Sequence, residues 1–341
     1  MTADRNFKRT VRARAARTGE SYTAALRHFR PATAVDVVLR STTGGVGGVR
    51  LAVAQTPMRD DPRDPDALRE SGRQVRALMR EAGAVGARIV HFPEGALCFP
   101  HKRVLSTTGP ETVGPADWDR YPWPVANAEL AAIADLAAEL RLWTVLASVH
   151  RLTGQNRPHN SLYVISDQGA VVTRYDERRL SRTKAAYLYS PGQAPVTFDV
   201  DGTRFGCLLG MEIHYPELFA EYETLDVDCV LLSTTGVRPG NVAAQTQGHA
   251  AANSYWVSLA VPTQHSATVP SGVAAPNGAW QGQCPADGSP AVAAVDLDDG
   301  CESAAEAVSH ARPWRRQSRA DTRDDRQVAD PRSENRSAGF C

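Results

Sequence analysis

Short apolar runs alternate along this chain with longer stretches in which apolar residues recur every third or fourth position, and the two periods predict strands and helices in turn. VRLAVAQ (49–55) reads as a buried strand, and Leu68, Val75, Leu78, Met79 and Ala82 then form one face of a helix. ARIVHFPE (87–94) predicts a second strand, 123–141 an Ala/Leu-rich helix, and WTVLASVH (143–150) a third strand. Residues 160–177 read as a hairpin closing over Asp167-Gln168-Gly169, and 195–210 as another turning at Asp201-Gly202. A helix from Tyr215, a strand over 228–234, a helix around 245–254 and strands over 256–262 and 291–298 complete the pattern. Strands alternating with helices, with two hairpins inserted, predict a layered α/β domain.

The ends break this pattern. Residues 1–34 carry eight Lys/Arg against two Asp/Glu in the first thirty positions, with Phe7, Val11 and Ala15 on one helical face. They predict a basic helical extension, followed by a Thr/Gly-rich linker over 35–48. The main domain is expected over 49–299 and a polar, partly disordered tail over 300–341, extended from about Ala311 because aliphatics nearly vanish there.

Composition narrows the class. The 38 basic and 38 acidic residues cancel, so no polyanionic partner is implied and nucleic acid is an unlikely one; an anionic-surface role is left to the basic extension alone. No run of eighteen apolar residues predicts a membrane span, and no apolar segment follows the basic start as a secretory signal requires. The six cysteines are scattered, without CxxC spacing, which makes a reduced, cytoplasmic protein the expectation and implies neither a zinc site nor another metal.

The chemistry is expected at strand ends, where α/β sheets collect functional groups. Glu94 follows RIVHFP, Glu177 follows VVTRYD, and Gly210 follows RFGCLL. In order and spacing, LAVAQT, RIVHFPEG, HNSLYVIS, RYD, YSPG, RFGCLL, YPELF and DCVLLS resemble the nitrilase superfamily of carbon–nitrogen hydrolases, from about Val49 to Asp299. The resemblance implies an αββα sandwich that pairs into dimers or larger homo-oligomers. It also implies hydrolysis of small amide, carbamoyl or nitrile compounds by a Cys-Glu-Lys site, with no cofactor. A Cys nucleophile needs a base to become thiolate, and a fixed cation with a backbone N–H stabilises the oxyanion.

Carried over by position, Glu94 matches the general base. Glu177 stands at the Lys position and Gly210 at the Cys position, five residues before Tyr215, and Met211 would supply the oxyanion-hole N–H. Glu212 matches an acidic residue that anchors the turn, Tyr215, Pro216 and Glu217 match a helix start, and Asn253 matches the site wall. Cys207 lies an odd offset from position 210 and is expected to face packing. Lys184, seven residues past the Lys position in a loop able to curl it back toward the site, is expected rather to be an exposed loop lysine, and His150 and His159 to be structural. Glu177 therefore puts two carboxylates in one pocket, which raises one of their pKa values or recruits a cation. The resulting expectation is a carbon–nitrogen hydrolase with impaired chemistry. The alternative is a non-catalytic small-molecule-binding or regulatory protein, able to pair with an active paralogue.

Overall fold

Alternate residues of one strand enter two different cores. In β2 (Val49–Gln55), Leu51 and Val53 face the space between two sheets, whereas Ala52 and Ala54 face a pair of helices. The small alanines let α1 (Pro65–Ala84) settle closely on the sheet through Val75, Leu78 and Met79. Asp64 caps α1 by accepting from the Asp66 N–H at 2.8 Å, and Pro65 fills the first helical position. The computed structural model describes residues 8, 12, 35–37, 48–154, 156–235, 239–298 and 302–320. Apart from two helical residues, Lys8 and Arg12, the basic extension over 1–34 lies outside them, as does the tail beyond 320.

Six strands form one sheet among the described residues, in the order β13-β2-β3-β4-β5-β6. After β2 come β3 (Ile89–His91), the one-turn α2 (Lys102–Leu105), α3 (Trp123–Leu140), β4 (Trp143–His150), β5 (His159–Ile165) and β6 (Val171–Asp176). Ile133 and Leu136 of α3 complete the helix-side core. β13 (Ala291–Leu297) returns antiparallel to β2.

The second sheet begins with β1 (Val35–Val37) and has the order β1-β7-β8-β9-β10-β11-β12. It contains β7 (Val196–Val200), β8 (Thr203–Leu209), β9 (Cys229–Ser233), β10 (Trp256–Ala260), β11 (Gly272–Ala274) and β12 (Trp280–Gln283). The β7–β8 hairpin turns at Asp201-Gly202, both at positive φ, as a tight hairpin turn requires. α4 (Pro216–Thr224) and α5 (Pro239–Asn253) flank this sheet, and Phe219 and Ala250 join its core. Trp143 stacks on Phe198, and Phe198 on Phe205, at 6.0 and 5.4 Å between ring centroids, so aromatic rings bind sheet to sheet. The result is an αββα sandwich.

Two segments depart from expectation. Val35–Val37, in the stretch read as linker, forms β1 and pairs parallel with β7. The tail read as extended is helical over 302–320, as α6 (Glu302–Glu306), a π-turn (Ala307–Ala311) and α7 (Arg312–Ala320). Charge holds it in place: buried Arg312 donates to the Val227 carbonyl at 2.7 Å and pairs with Asp228, and Arg316 pairs with Glu223. Anchoring of this kind leaves no aliphatic periodicity in the sequence.

Candidate functional site

Four strand ends converge. After β3 the chain turns through Phe92-Pro93 and presents Glu94; Glu177 follows β6, Gly210 follows β8, and Thr235 lies just past β9. Gly210 opens a 3-10 turn (Gly210–His214) at φ 66°, a left-handed conformation that glycine adopts without strain. A strand running into a sharp positive-φ turn and then a helix is the backbone of a nucleophile elbow.

Glu212 fixes this elbow. One carboxylate oxygen accepts from Tyr175 Oη at 2.7 Å and Leu209 N at 2.9 Å, and the other from Arg178 N at 2.7 Å and Arg179 N at 3.0 Å. A single buried side chain thus ties the end of β8 to the loop after β6. Burial raises its pKa against those four bonds.

Lys184 overturns its expected place. The π-turn Lys184–Leu188, with Lys184 N donating to Ser181 Oγ, curls the side chain inward. Its Nζ donates to Glu94 Oε1 at 2.6 Å and Glu177 Oε2 at 2.7 Å, and only 13% of the side chain is exposed. Asn160 Nδ2 donates to the same two oxygens, at 2.9 and 2.7 Å. The cation drawn in by two neighbouring carboxylates is a lysine of the chain itself.

The two carboxylates are not equivalent. Glu94 accepts from Asn160 and Lys184 on Oε1, and from Thr235 N and Oγ1 at 2.9 and 3.1 Å on Oε2. Burial pushes its pKa up, but Lys184 and these donors outweigh burial and hold it below the ordinary range. Glu177 Oε1 has no partner. Burial, with Glu94 adding to it against the pull of Lys184, raises Glu177 to about 7. Lys184 is pushed down by burial, and the two carboxylates more than reverse this.

Space at Gly210 is closed as well. A Cβ added there would overlap Glu177 Oε1 and lie 2.8 Å from Lys184 Nζ. Glu177 and Lys184 occupy the volume a side chain at position 210 would need.

A cavity of about 230 Å³ opens above this floor, lined by Glu94, Asn160, Lys184, Gly210, Met211 and Thr235 below, with Cys98, Phe99, Leu188 and Tyr189 as walls and Lys102 among its lining residues. Glu177 lies behind the floor rather than in the lining. Glu212, Tyr215, Pro216, Glu217 and Asn253, expected at the pocket, also stand outside its lining. Glu212 is buried beneath the elbow, Tyr215 to Glu217 carry the chain away into α4, and Asn253 Nδ2 binds its own helix at the His249 carbonyl. Cys207 faces the inter-sheet core, where burial raises its thiol pKa. Cys98 does line the cavity, but burial pushes its thiol up to about 12, leaving little thiolate at neutral pH. Among the described residues no group of three His, Cys, Asp or Glu side chains could hold a metal ion.

The family model for carbon–nitrogen hydrolases matches residues 50–305. The chain belongs to the carbon–nitrogen hydrolase family. Its fold resembles an amidase of the nitrilase superfamily from Nesterenkonia, with a TM-score of 0.62 at 16% identity over 80% of this chain and 100% of that one. It also resembles Nit3 of Saccharomyces cerevisiae, with a TM-score of 0.59 at 15% identity over 82% of this chain and 97% of that one. Among curated relatives, the Hydrolase Rv0480c of Mycobacterium tuberculosis is 25% identical over 208 residues, 58% of this chain. The chain spans 65% of that relative's length. No helix among the described residues is long and apolar enough to cross a membrane.

Family position marks Glu94, Gly210 and Met211 in the lining and Glu177 behind it; Asn160, Thr235 and Lys102 carry no such mark, and Lys184 stands in the site rather than exposed. One signal was available: only three of the 38 basic residues are lysines, and two of these line the cavity.

Proposed function

We propose that this carbon–nitrogen hydrolase-family protein binds a small amide, carbamoyl or nitrile compound, or the acid related to it, in the strand-end cavity and does not hydrolyse it through an acyl-enzyme. The observation that carries this reading is Gly210 at the elbow, where the family's cysteine is expected, with Glu177 and Lys184 filling the space a nucleophile would take. A thioester route needs a thiolate there, and the one described thiol lining the cavity is held protonated. The backbone of the elbow, its Glu212 anchor and the charged floor all remain, which supports binding.

A point mutant of the Nesterenkonia amidase adds acrylamide covalently at its active-site cysteine. Acrylamide should leave the intact mass of the present protein unchanged, while small amides or their acids raise its melting temperature. A stoichiometric adduct in the cavity, or ammonia released with a burst, would overturn the reading. The double variant Gly210→Cys, Glu177→Lys should gain ammonia release that neither single change confers. The reading extends to a homo-oligomer in a reducing compartment, consistent with four described cysteines that are all free; light scattering that gives a monomer removes the first part.

A further inference from the structure

We propose that the cavity holds a small carboxylate, the acid rather than the amide form of its ligand, between Lys102 and Lys184. The proposal rests on the reading that the pocket binds without acyl-enzyme chemistry, and it names the ligand class.

The site holds hydrogen-bonding capacity that no described residue uses. Glu94 faces the cavity, but both of its oxygens are already taken by Asn160, Lys184 and Thr235. Lys184 uses two of its N–H groups on Glu94 and Glu177 and keeps a third. Lys102, half-buried on α2, has no hydrogen-bond or ion-pair partner among the described residues. The Met211 N–H sits in the first turn of the 3-10 segment, where no intrahelical acceptor is in reach. Apart from Glu177 Oε1 behind the floor, the charged capacity left over is thus donor capacity. A carboxylate brings acceptors only, whereas a primary amide brings two N–H donors into a floor whose carboxylate is saturated.

Residue choice points the same way. The chain uses arginine for its basic positions almost throughout, yet lysines stand at 102 and 184. An ammonium is a compact charge that fits a cavity of about 230 Å³. Burial, and then the like charge of Lys184, lower the pKa of Lys102 against the weaker pull of Glu94 and Glu177, and a bound anion adds to that pull. Phe99, Pro100 and Leu188 on the walls suit a short aliphatic chain.

The same geometry couples binding to a proton. Glu177 lies directly behind the floor with one oxygen unpartnered, faced by Lys184, Glu94, Glu212 and Asn160, with Lys102 and Tyr189 also within its field. An added anion favours its neutral form. Carboxylate binding should take up a proton near neutrality, and amide binding should not.

The test is calorimetric titration of the full chain with propionate and its isostere propionamide at pH 6 and pH 8. The expected result is propionate at least about tenfold tighter at pH 6, with a smaller advantage at pH 8. Lys102→Met should bring propionate down to the level of propionamide, and Glu177→Gln should keep the preference for the acid while removing its pH dependence. Propionamide binding as tightly as propionate overturns the carboxylate inference and leaves the binding reading standing. Failure of both to bind overturns the two together. An acid preference that survives Lys102→Met overturns the part assigned to that lysine.

Discussion

His91, between the two sheets, and Glu177, at the strand ends, are both buried ionisable side chains, and the chain treats them in opposite ways. Ser233 Oγ donates to the Phe92 carbonyl at 2.7 Å, so His91 Nε2–H donates to Ser233 Oγ at 2.8 Å, and Nδ1 accepts from Ser258 Oγ at 2.9 Å. Both ring nitrogens are satisfied, and burial lowers the pKa to about 3, so the ring is neutral at any physiological pH. Glu177 keeps one oxygen without a partner and titrates near 7. A polar cluster that only joins two sheets is saturated and neutral. The cluster at the strand ends is charged, nearly balanced and left incomplete, which is how pockets that handle ligands or protons differ from structural cores.

The largest test of this contrast is Lys184→Met. It leaves Glu94 and Glu177 facing each other in the dark of the protein without a cation, and losing one partner of a buried ion cluster costs about 3–5 kcal/mol. Urea denaturation at pH 8 should show that loss. Without the lysine both carboxyls titrate higher when folded than when unfolded, so the deficit should shrink as pH falls toward 5. A deficit below about 1 kcal/mol at pH 8 would mean the cluster contributes no more than a surface pair.

Next is Glu177→Gln. The folded pKa of Glu177, about 7, stands above the ordinary 4.5, so its favourable contribution is complete below pH 4.5 and is lost as pH rises through about 7. The wild-type chain should lose roughly 3 kcal/mol of stability over that window through this group, and the variant should not. Parallel pH profiles for the two proteins would remove Glu177 as the titrating group. His91→Ala should show the complementary behaviour. It should cost about 2 kcal/mol through a cavity and a weakened sheet-to-sheet link. Because the ring is already neutral, the cost should be the same at pH 7 and pH 9 and fall only below pH 6.5, where the unfolded state of the wild type begins to take up a proton. A cost that changes between pH 7 and 9 would contradict a neutral, saturated histidine.

The same contrast explains what could be read from the residues beforehand. The layers were legible because strand and helix periods are local: Leu51 and Ala52 declare opposite faces within two positions. Asp201-Gly202 declared its turn for the same reason. The elbow was legible at Gly210, Glu212 and the Tyr215-Pro216-Glu217 helix start because these are contiguous. The floor was not. Lys184 reaches it by way of a π-turn, Asn160 from another strand, and Thr235 from the opposite sheet, so their meeting depends on how the sandwich closes. Arg312 and Arg316 escaped notice for a related reason, since their helix is fixed by ion pairs to Asp228 and Glu223 rather than by an apolar stripe.

The smallest expected effect separates the two constraints on the elbow. Gly210→Ala forces a Cβ onto a residue at φ 66° and pushes that Cβ into Glu177 Oε1. Backbone strain alone accounts for about 1–2 kcal/mol. If the carboxyl of Glu177 also resists the new methyl group, the double variant Gly210→Ala, Glu177→Ala should cost less than the sum of its parts by about 1 kcal/mol, since residues in contact do not add. Additive costs would mean that the chain tolerates a side chain at 210 as far as space is concerned and that only the backbone conformation reserves the position for glycine. Restoring a nucleophile would then need no change at 177, so Gly210→Cys alone should recover ammonia release. A coupled cost makes the two positions a single unit, in which the carboxyl behind the floor can stay only while the residue above it has no side chain.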